Sequence, residues 1–128
     1  MNKYKITVSK EQIILINRAV EILARVKMGQ FDGMLQELKD SSDKWIFDND
    51  LLEDVENIIK PKMGLKNSQS FGVNRFKEVG ELYTIHTCIR YQMWKENPNR
   101  QSGTIDSHAT DWGGGLVRIE KQLWTSKW

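Results

Sequence analysis

The chain has 128 residues and carries 19 Lys and Arg side chains against 17 Asp and Glu, a formal net charge of +2. This length suits a single domain over residues 1–128, and 39% hydrophobic residues allow a packed core. The charge balance argues against general nucleic-acid binding, which needs a large basic excess. No run approaches the ~18 apolar residues of a membrane span, and the N-terminus lacks the apolar core of a secretory signal. With Cys88 as the one cysteine, no internal disulfide can form, so we expect a cytoplasmic protein.

The first quarter of the chain predicts a strand followed by a helix. Residues Tyr4–Val8 alternate in polarity and are rich in β-formers, which is typical of a short strand. Ser9 and Gln12 then have the spacing of a capping box, so a helix is expected over residues 10–28, with Gly29 just after its end. The apolar positions of this helix cover more than one face, which indicates burial against a partner helix or another subunit.

The middle of the chain predicts two shorter helices and a polar loop. Apolar residues from Phe31 to Leu38 keep helical spacing. A third helix is expected over residues 51–60, with Asp50 as its N-cap and Pro61 stopping it. Residues 62–72 read as the most mobile internal loop.

The second half predicts one long helix and two further strands. The helix is expected over residues 74–95, about 33 Å at 1.5 Å per residue. Residues 104–107 and 116–124 read as strands, with three glycines at 113–115 forming a flexible hinge or a turn between them. The predicted fold class is therefore α+β: mostly helical, with a small antiparallel sheet formed by the N- and C-terminal strands.

That sheet and the tail point to a homo-oligomer. Two or three strands alone are marginal, so they are expected to pair within one chain or across subunits. Two tryptophans, Trp124 and Trp128, lie in the last five residues, where a monomer usually frays. Burial against another subunit would explain them, and a tail folded over its own core is the alternative.

The end of the long helix offers side chains suited to a nucleotide. Aromatic rings stack on bases, arginine forks match phosphate oxygens, and asparagine amides pair with base or ribose edges. The predicted ligand-binding residues are Tyr83, Arg90, Tyr91, Trp94, Lys95, Asn97, Asn99 and Arg100, with Phe71 on the loop closing over the ligand and His108 nearby. The alternative is an aromatic stripe that belongs to the core, followed by a helix stop.

The histidines and cysteine give little support for metal or catalytic chemistry. His86 and Cys88 are two residues apart on a helix and point away from each other, so no metal site and no cofactor are expected. His86 is expected to be a core histidine bonded to a carbonyl or a threonine, although Arg90 one turn later leaves a phosphate-facing role open. His108 reads as a solvated loop residue. A metal-free phosphodiesterase using both histidines remains an alternative, although only His108-Ala109-Thr110 matches the H-x-[ST] motif.

Two segments resemble a known family. They are Met28-Gly29-Gln30-Phe31 and the pattern Leu82-Tyr83-x-Ile85-His86-x-x-Ile89-Arg90-Tyr91-x-x-Trp94-x-x-Asn97-Pro98 with a Thr-Ile-Asp segment after it. Together with size and layout, they resemble phage Thoeris anti-defence sponges. The resemblance implies small α+β protomers assembled as hexamers in an infected bacterial host. It also implies binding, without hydrolysis, of cyclic ADP-ribose-type signals made by TIR enzymes, and in some members of cyclic oligonucleotides.

The leading functional hypothesis is therefore a phage protein that sequesters a cyclic nucleotide immune signal without cleaving it. The first alternative is the phosphodiesterase that uses His86 and His108. The second is a protein-binding phage accessory or inhibitor module. Its docking face would be residues 40–56, which hold seven acidic side chains against one lysine.

Overall fold

The computed structural model describes residues 2–40 and 49–122. Within these ranges the chain forms four α-helices and one short 3-10 helix. These are α1 (Lys10–Lys27), α2 (Asp32–Asp40), α3 (Asn49–Met63), α4 (Lys77–Glu96) and the 3-10 helix Ile105–Ser107. The described residues contain no strand, so the predicted α+β class is wrong and this part of the chain is all-helical. None of the helices in these ranges combines the length and apolar character needed to cross a membrane.

The start and end of α1 follow the sequence signals. The Ser9 hydroxyl accepts a hydrogen bond from the Gln12 amide at 3.1 Å, and the Ser9 amide donates to Gln12 Oε1 at 2.8 Å. This reciprocal pair satisfies two amides that would otherwise lack partners in the first turn. Met28 caps the other end, and Gly29 follows with a φ of +86°, a conformation that favours glycine. The predicted capping box is confirmed.

Helices α1 and α4 pack antiparallel and form the centre of the fold. Near the end of α1, Ala24 and Met28 pack with Val79 in the first turn of α4. Further back on α1, Asn17 reaches His86 in the middle of α4. The beginning of α1 therefore lies beside the end of α4, which is where the predicted ligand site falls.

The chain after α4 returns along that helix and is held by two buried threonine hydroxyls. Thr84 Oγ1 accepts from the Trp112 amide at 2.8 Å and lies 2.9 Å from the Gly113 carbonyl oxygen. Thr87 Oγ1 accepts from the Thr110 amide at 3.1 Å and lies 3.0 Å from the Thr110 carbonyl oxygen. These hydroxyls supply the hydrogen bonds that a neighbouring strand would otherwise provide.

A glycine on α4 makes this close approach possible. A Cβ placed on Gly80 would lie 2.4 Å from the Trp112 carbonyl oxygen, which is closer than any real contact. Gly80 and the two threonines thus form one small-residue strip along α4 that receives residues 110–113. Because residues 110–113 bond to α4, this segment forms no sheet.

The three predicted strands are wrong, each for a local reason. Residues 4–8 have no regular structure and no partner strand among the described residues, and residues 4–7 are exposed, at 87% for Tyr4 and 74% for Ile6. Residues 105–107 form the 3-10 helix, in which the Ser107 amide donates to the Thr104 carbonyl. Residues 116–122 follow the segment bound to α4 and have no regular structure. The rest of the third predicted strand, with Trp124 and Trp128, lies outside the described residues.

Three predicted helix boundaries also shift. Helix α3 continues through Pro61 to Met63, because a proline in the last turn removes only one backbone bond. The helix ends at Met63, and Gly64 follows with a φ of +78°. Since α3 begins at Asn49, Asp50 lies in its first turn rather than at its N-cap. Helix α4 begins at Lys77 after a turn between Gly72 and Arg75, three residues later than expected.

Candidate functional site

Two aromatic rings stack on each other in the last turns of α4. The Tyr91 and Trp94 ring centroids are 5.9 Å apart with an interplanar angle of 18°. Trp94 Nε1 donates to the Gln101 carbonyl oxygen at 2.9 Å, which fixes the indole against the chain that leaves the helix. Both side chains are half-buried. We call this pair the aromatic plate.

Each ring of the aromatic plate carries a cation. Lys95 Nζ lies 4.7 Å from the Tyr91 centroid, and Arg100 Cζ lies 5.7 Å from the Trp94 centroid. Both cationic residues are exposed, and the Arg100 guanidinium also donates to the Lys95 carbonyl oxygen at 3.3 Å. Two positive charges therefore lie over a flat apolar surface.

The two asparagines differ in their use. Asn97 Oδ1 accepts from the Asn99 amide at 2.9 Å, and the Asn97 carbonyl accepts from the Arg100 amide at 3.2 Å. Asn97 therefore shapes the turn that returns Arg100 to the aromatic plate. The Asn99 residue is exposed beside it.

Arg90 contacts the 3-10 helix that follows the aromatic plate in the chain. Its Nε lies 3.1 Å from Asp106 Oδ1, and its Nη2 donates to the Ile105 carbonyl oxygen at 3.4 Å. The Nε atom is buried and does not form a hydrogen bond, so the contact with Asp106 is an ion pair only. Arg90 thus ties the 3-10 helix to α4 and is a poorer candidate for a phosphate contact than Arg100.

Phe71 and Tyr83 lie in a different part of the molecule. Both pack against the core of Ala24, Met28 and Val79, and burial raises the pKa of Tyr83 while the nearby Arg25 charge opposes this. Val79 precedes Trp94 by fifteen residues, about 22 Å along a helix. Phe71 is therefore not positioned to close over the aromatic plate, contrary to expectation.

The loop that carries Phe71 is anchored by a buried lysine. Lys60 Nζ donates to the Asn67 and Gln69 carbonyl oxygens at 2.6 and 2.8 Å, and pairs with Glu56 at 2.9 Å. The Phe71 amide donates to the Met28 carbonyl oxygen at 2.8 Å. These contacts bind residues 67–71 to α3 and to the end of α1, whereas the sequence predicted a mobile loop.

The two histidines are far from equivalent. His86 is buried against α1, with Nδ1 2.8 Å from Asn17 Oδ1 and Nε2 3.4 Å from Glu21 Oε2. Burial lowers its pKa, and the Arg90 charge adds to this, although Glu21 acts in the opposite direction. Its position agrees with a core histidine, but the partners are α1 side chains rather than a carbonyl or a threonine. His108 is exposed.

A groove that the sequence did not predict lies at the end of α1, away from the aromatic plate. Two adjoining cavities of about 330 and 470 Å³ lie between the α1–α2 turn, α3 and the loop after it. We call them together the acidic groove, and their lining includes Phe31, Asp32, Leu52, Glu53, Glu56, Lys60 and Ser68. The acidic run of residues 40–56 was the available signal, but it did not reveal that Phe31 and the loop would complete a concave surface.

Three comparisons with known proteins bear on this geometry. A scan against protein-family models and searches of curated proteins and solved structures each found no match. Four of the predicted ligand residues form one cluster at the end of α4: Tyr91, Trp94, Lys95 and Arg100. Phe71 and Tyr83 pack against the core and Arg90 pairs with Asp106, whereas Asn99 and His108 are exposed outside this cluster. The aromatic plate with its two cations is the candidate functional site.

Proposed function

We propose that this chain binds and sequesters a small anionic nucleotide, of the cyclic ADP-ribose type, at the aromatic plate without cleaving it. The observation that carries the proposal is the stacked Tyr91 and Trp94 pair with one exposed cation on each ring. Flat apolar rings suit a base, and adjacent positive charges suit its phosphates. The phage anti-defence role comes from the resemblance to Thoeris sponges and belongs to the same proposal, as do cyclic oligonucleotides as further ligands.

The energetics favour exchange of the cations for a base. An exposed cation–π contact contributes about 0.5–1 kcal/mol, whereas base stacking on an aromatic side chain contributes about 1–3 kcal/mol per base. When a base displaces Lys95 or Arg100 from its ring, the charged group becomes available for a phosphate oxygen. The ligand thus gains a charge-assisted hydrogen bond in addition to the stacking contact.

Binding without cleavage fits the position of the histidines better than phosphodiester hydrolysis does. His86 faces α1, has a partner at each ring nitrogen, and precedes Trp94 by eight residues, about 12 Å along the helix. A general base must come within hydrogen-bond reach of the proton that it removes. The geometry therefore supports sequestration over the alternative that uses His86 and His108.

Calorimetric titration with cyclic ADP-ribose isomers and with cyclic di- and trinucleotides tests the proposal. We expect one of these ligands to bind, to be recovered intact after heat denaturation, and to bind at least about tenfold more weakly to Arg100→Ala or Trp94→Ala. Arg75→Ala is the matched control, because Arg75 also lies over aromatic rings, those of Phe71 and Phe76, outside the plate. Binding of none of the ligands, or equal loss in Arg100→Ala and Arg75→Ala, would refute the proposed site. Recovery of a hydrolysed product would favour the phosphodiesterase.

A further inference from the structure

The N-terminal arm, residues 2–9, extends from the start of α1 into solvent. Residues Asn2 to Thr7 are all exposed, including the large apolar side chains of Tyr4 and Ile6. In an extended chain successive side chains alternate, so Tyr4 and Ile6 share one edge and Lys3 and Lys5 share the other. The arm thus has an apolar edge and a basic edge.

The acidic groove has the complementary character. The half-buried Leu52 supplies apolar surface, and Asp32, Glu53 and Glu56 supply carboxylates. The Lys60 ammonium is taken up by Glu56 and two backbone carbonyls. Among the described residues that line the groove, three carboxylates and one ammonium give a formal charge of −2, equal and opposite to that of the two arm lysines.

We propose that the N-terminal arm of one copy lies in the acidic groove of a second copy. Tyr4 and Ile6 would contact Leu52, while Lys3 and Lys5 would face the carboxylates. The contacting side chains of the arm do not reach the groove of their own chain, because Tyr4 precedes the start of α1 at Lys10 by six residues, at most about 22 Å, whereas the 18 residues of α1 measure about 27 Å. This interface is independent of nucleotide binding.

The arrangement is head-to-tail, because the arm leaves the beginning of α1 and the groove surrounds its end. Each copy would use two different surfaces, and repeated contacts of this kind close into a ring or continue as a filament.

Charge reversal on each side of the interface tests the proposal. The arm variant is Lys3→Glu/Lys5→Glu, and the groove variant is Asp32→Asn/Glu53→Lys, which leaves the Glu56–Lys60 pair intact. Light scattering after gel filtration should give a multiple of 15.0 kDa for the unmodified chain. Each variant alone should associate at least about tenfold more weakly, because like charges then meet or attraction is lost.

An equimolar mixture of the two variants is the decisive sample. The reversed arm of one variant matches the reversed groove of the other, and the unmodified arm and groove also match, so the mixture should regain the original mass. The control Lys77→Glu/Lys121→Glu makes the same change in net charge at exposed positions outside the interface and should associate normally. Deletion of residues 2–8 should abolish association while leaving the helical circular dichroism unchanged. A monomeric unmodified chain at high micromolar concentration, or a mixture no better than its components, would overturn the interface without bearing on nucleotide binding.

Discussion

The contact between Gly80 and Trp112 allows a test of how the C-terminal segment is held. In Gly80→Ala, the added Cβ would lie 2.4 Å from the Trp112 carbonyl oxygen and 3.3 Å from its carbonyl carbon. The obstructing atoms belong to the backbone, so no side-chain rotation relieves the overlap. Residues 112–113 must therefore move away from α4.

The expected cost is the difference between lost hydrogen bonds and gained helix propensity. Movement breaks the bonds of Thr84 to Trp112 and Gly113, and each contributes about 1 kcal/mol net. If the two bonds of Thr87 to Thr110 break as well, the loss reaches about 4 kcal/mol. Replacement of glycine by alanine inside a helix returns about 1 kcal/mol. We therefore expect a net destabilisation of about 1–3 kcal/mol.

Gly33→Ala is the matched control for this substitution. Gly33 also lies inside a helix, and a Cβ placed there has no atom within 4 Å. Helix propensity then acts alone, so Gly33→Ala should stabilise by about 0.5–1 kcal/mol. Urea denaturation monitored by circular dichroism measures both changes, and hydrogen exchange of the Trp112 amide should accelerate only in Gly80→Ala. If Gly80→Ala stabilises the protein as Gly33→Ala does, the segment is not held against α4 as described.

Two further predictions concern buried charged or titratable groups. Burial, aided by Arg90, lowers the pKa of His86 below its usual 6.5. On acidification the unfolded chain therefore binds a proton at this histidine at a higher pH than the folded chain does. Stability should therefore fall as the pH drops below about 6.5, and His86→Gln should flatten this part of the melting-temperature profile; an unchanged slope would contradict the assignment. Lys60→Met removes the ammonium that binds Glu56 and the loop carbonyls, and should destabilise by about 3–5 kcal/mol in urea denaturation. The exposed neighbour Lys62→Met should change stability by less than about 0.5 kcal/mol, and equal effects would argue against the buried clamp.

Local signals in the sequence predicted the helices well where the deciding interactions are local. The Ser9 and Gln12 spacing fixes the start of α1 because both partners lie within one turn. The strands failed because a strand depends on a distant partner. Residues 4–8 have the alternation of a strand, but residues 116–122, which were expected to pair with them, have no regular structure, and the chain just before them bonds to hydroxyls of α4. Nothing in the spacing of Thr84 and Thr87 indicates that role by itself.

The candidate site was predicted in part for the same reason. Residues that follow one another closely, such as Tyr91, Trp94 and Lys95, meet because helical spacing brings them together. Phe71 was assigned to the site through an expected loop closure, which depends on tertiary contacts. Its hydrogen bond to Met28 and its packing near Val79 place it at the other end of α4.

The location of the aromatic plate follows from how α4 is covered. One side of the helix packs on α1 through Val79 and His86, which explains why a polar residue interrupts its apolar stripe. Another side receives the C-terminal segment on Gly80 and the threonines, so small polar residues there are buried rather than solvated. After α4 the chain makes a turn that begins at Asn97, and only then does it run back along the helix. The Trp94 indole donates to the Gln101 carbonyl oxygen just after this turn. Aromatic and cationic side chains in the last turns therefore stay accessible, because the coverage of α4 begins one turn earlier, at Arg90 and Asp106.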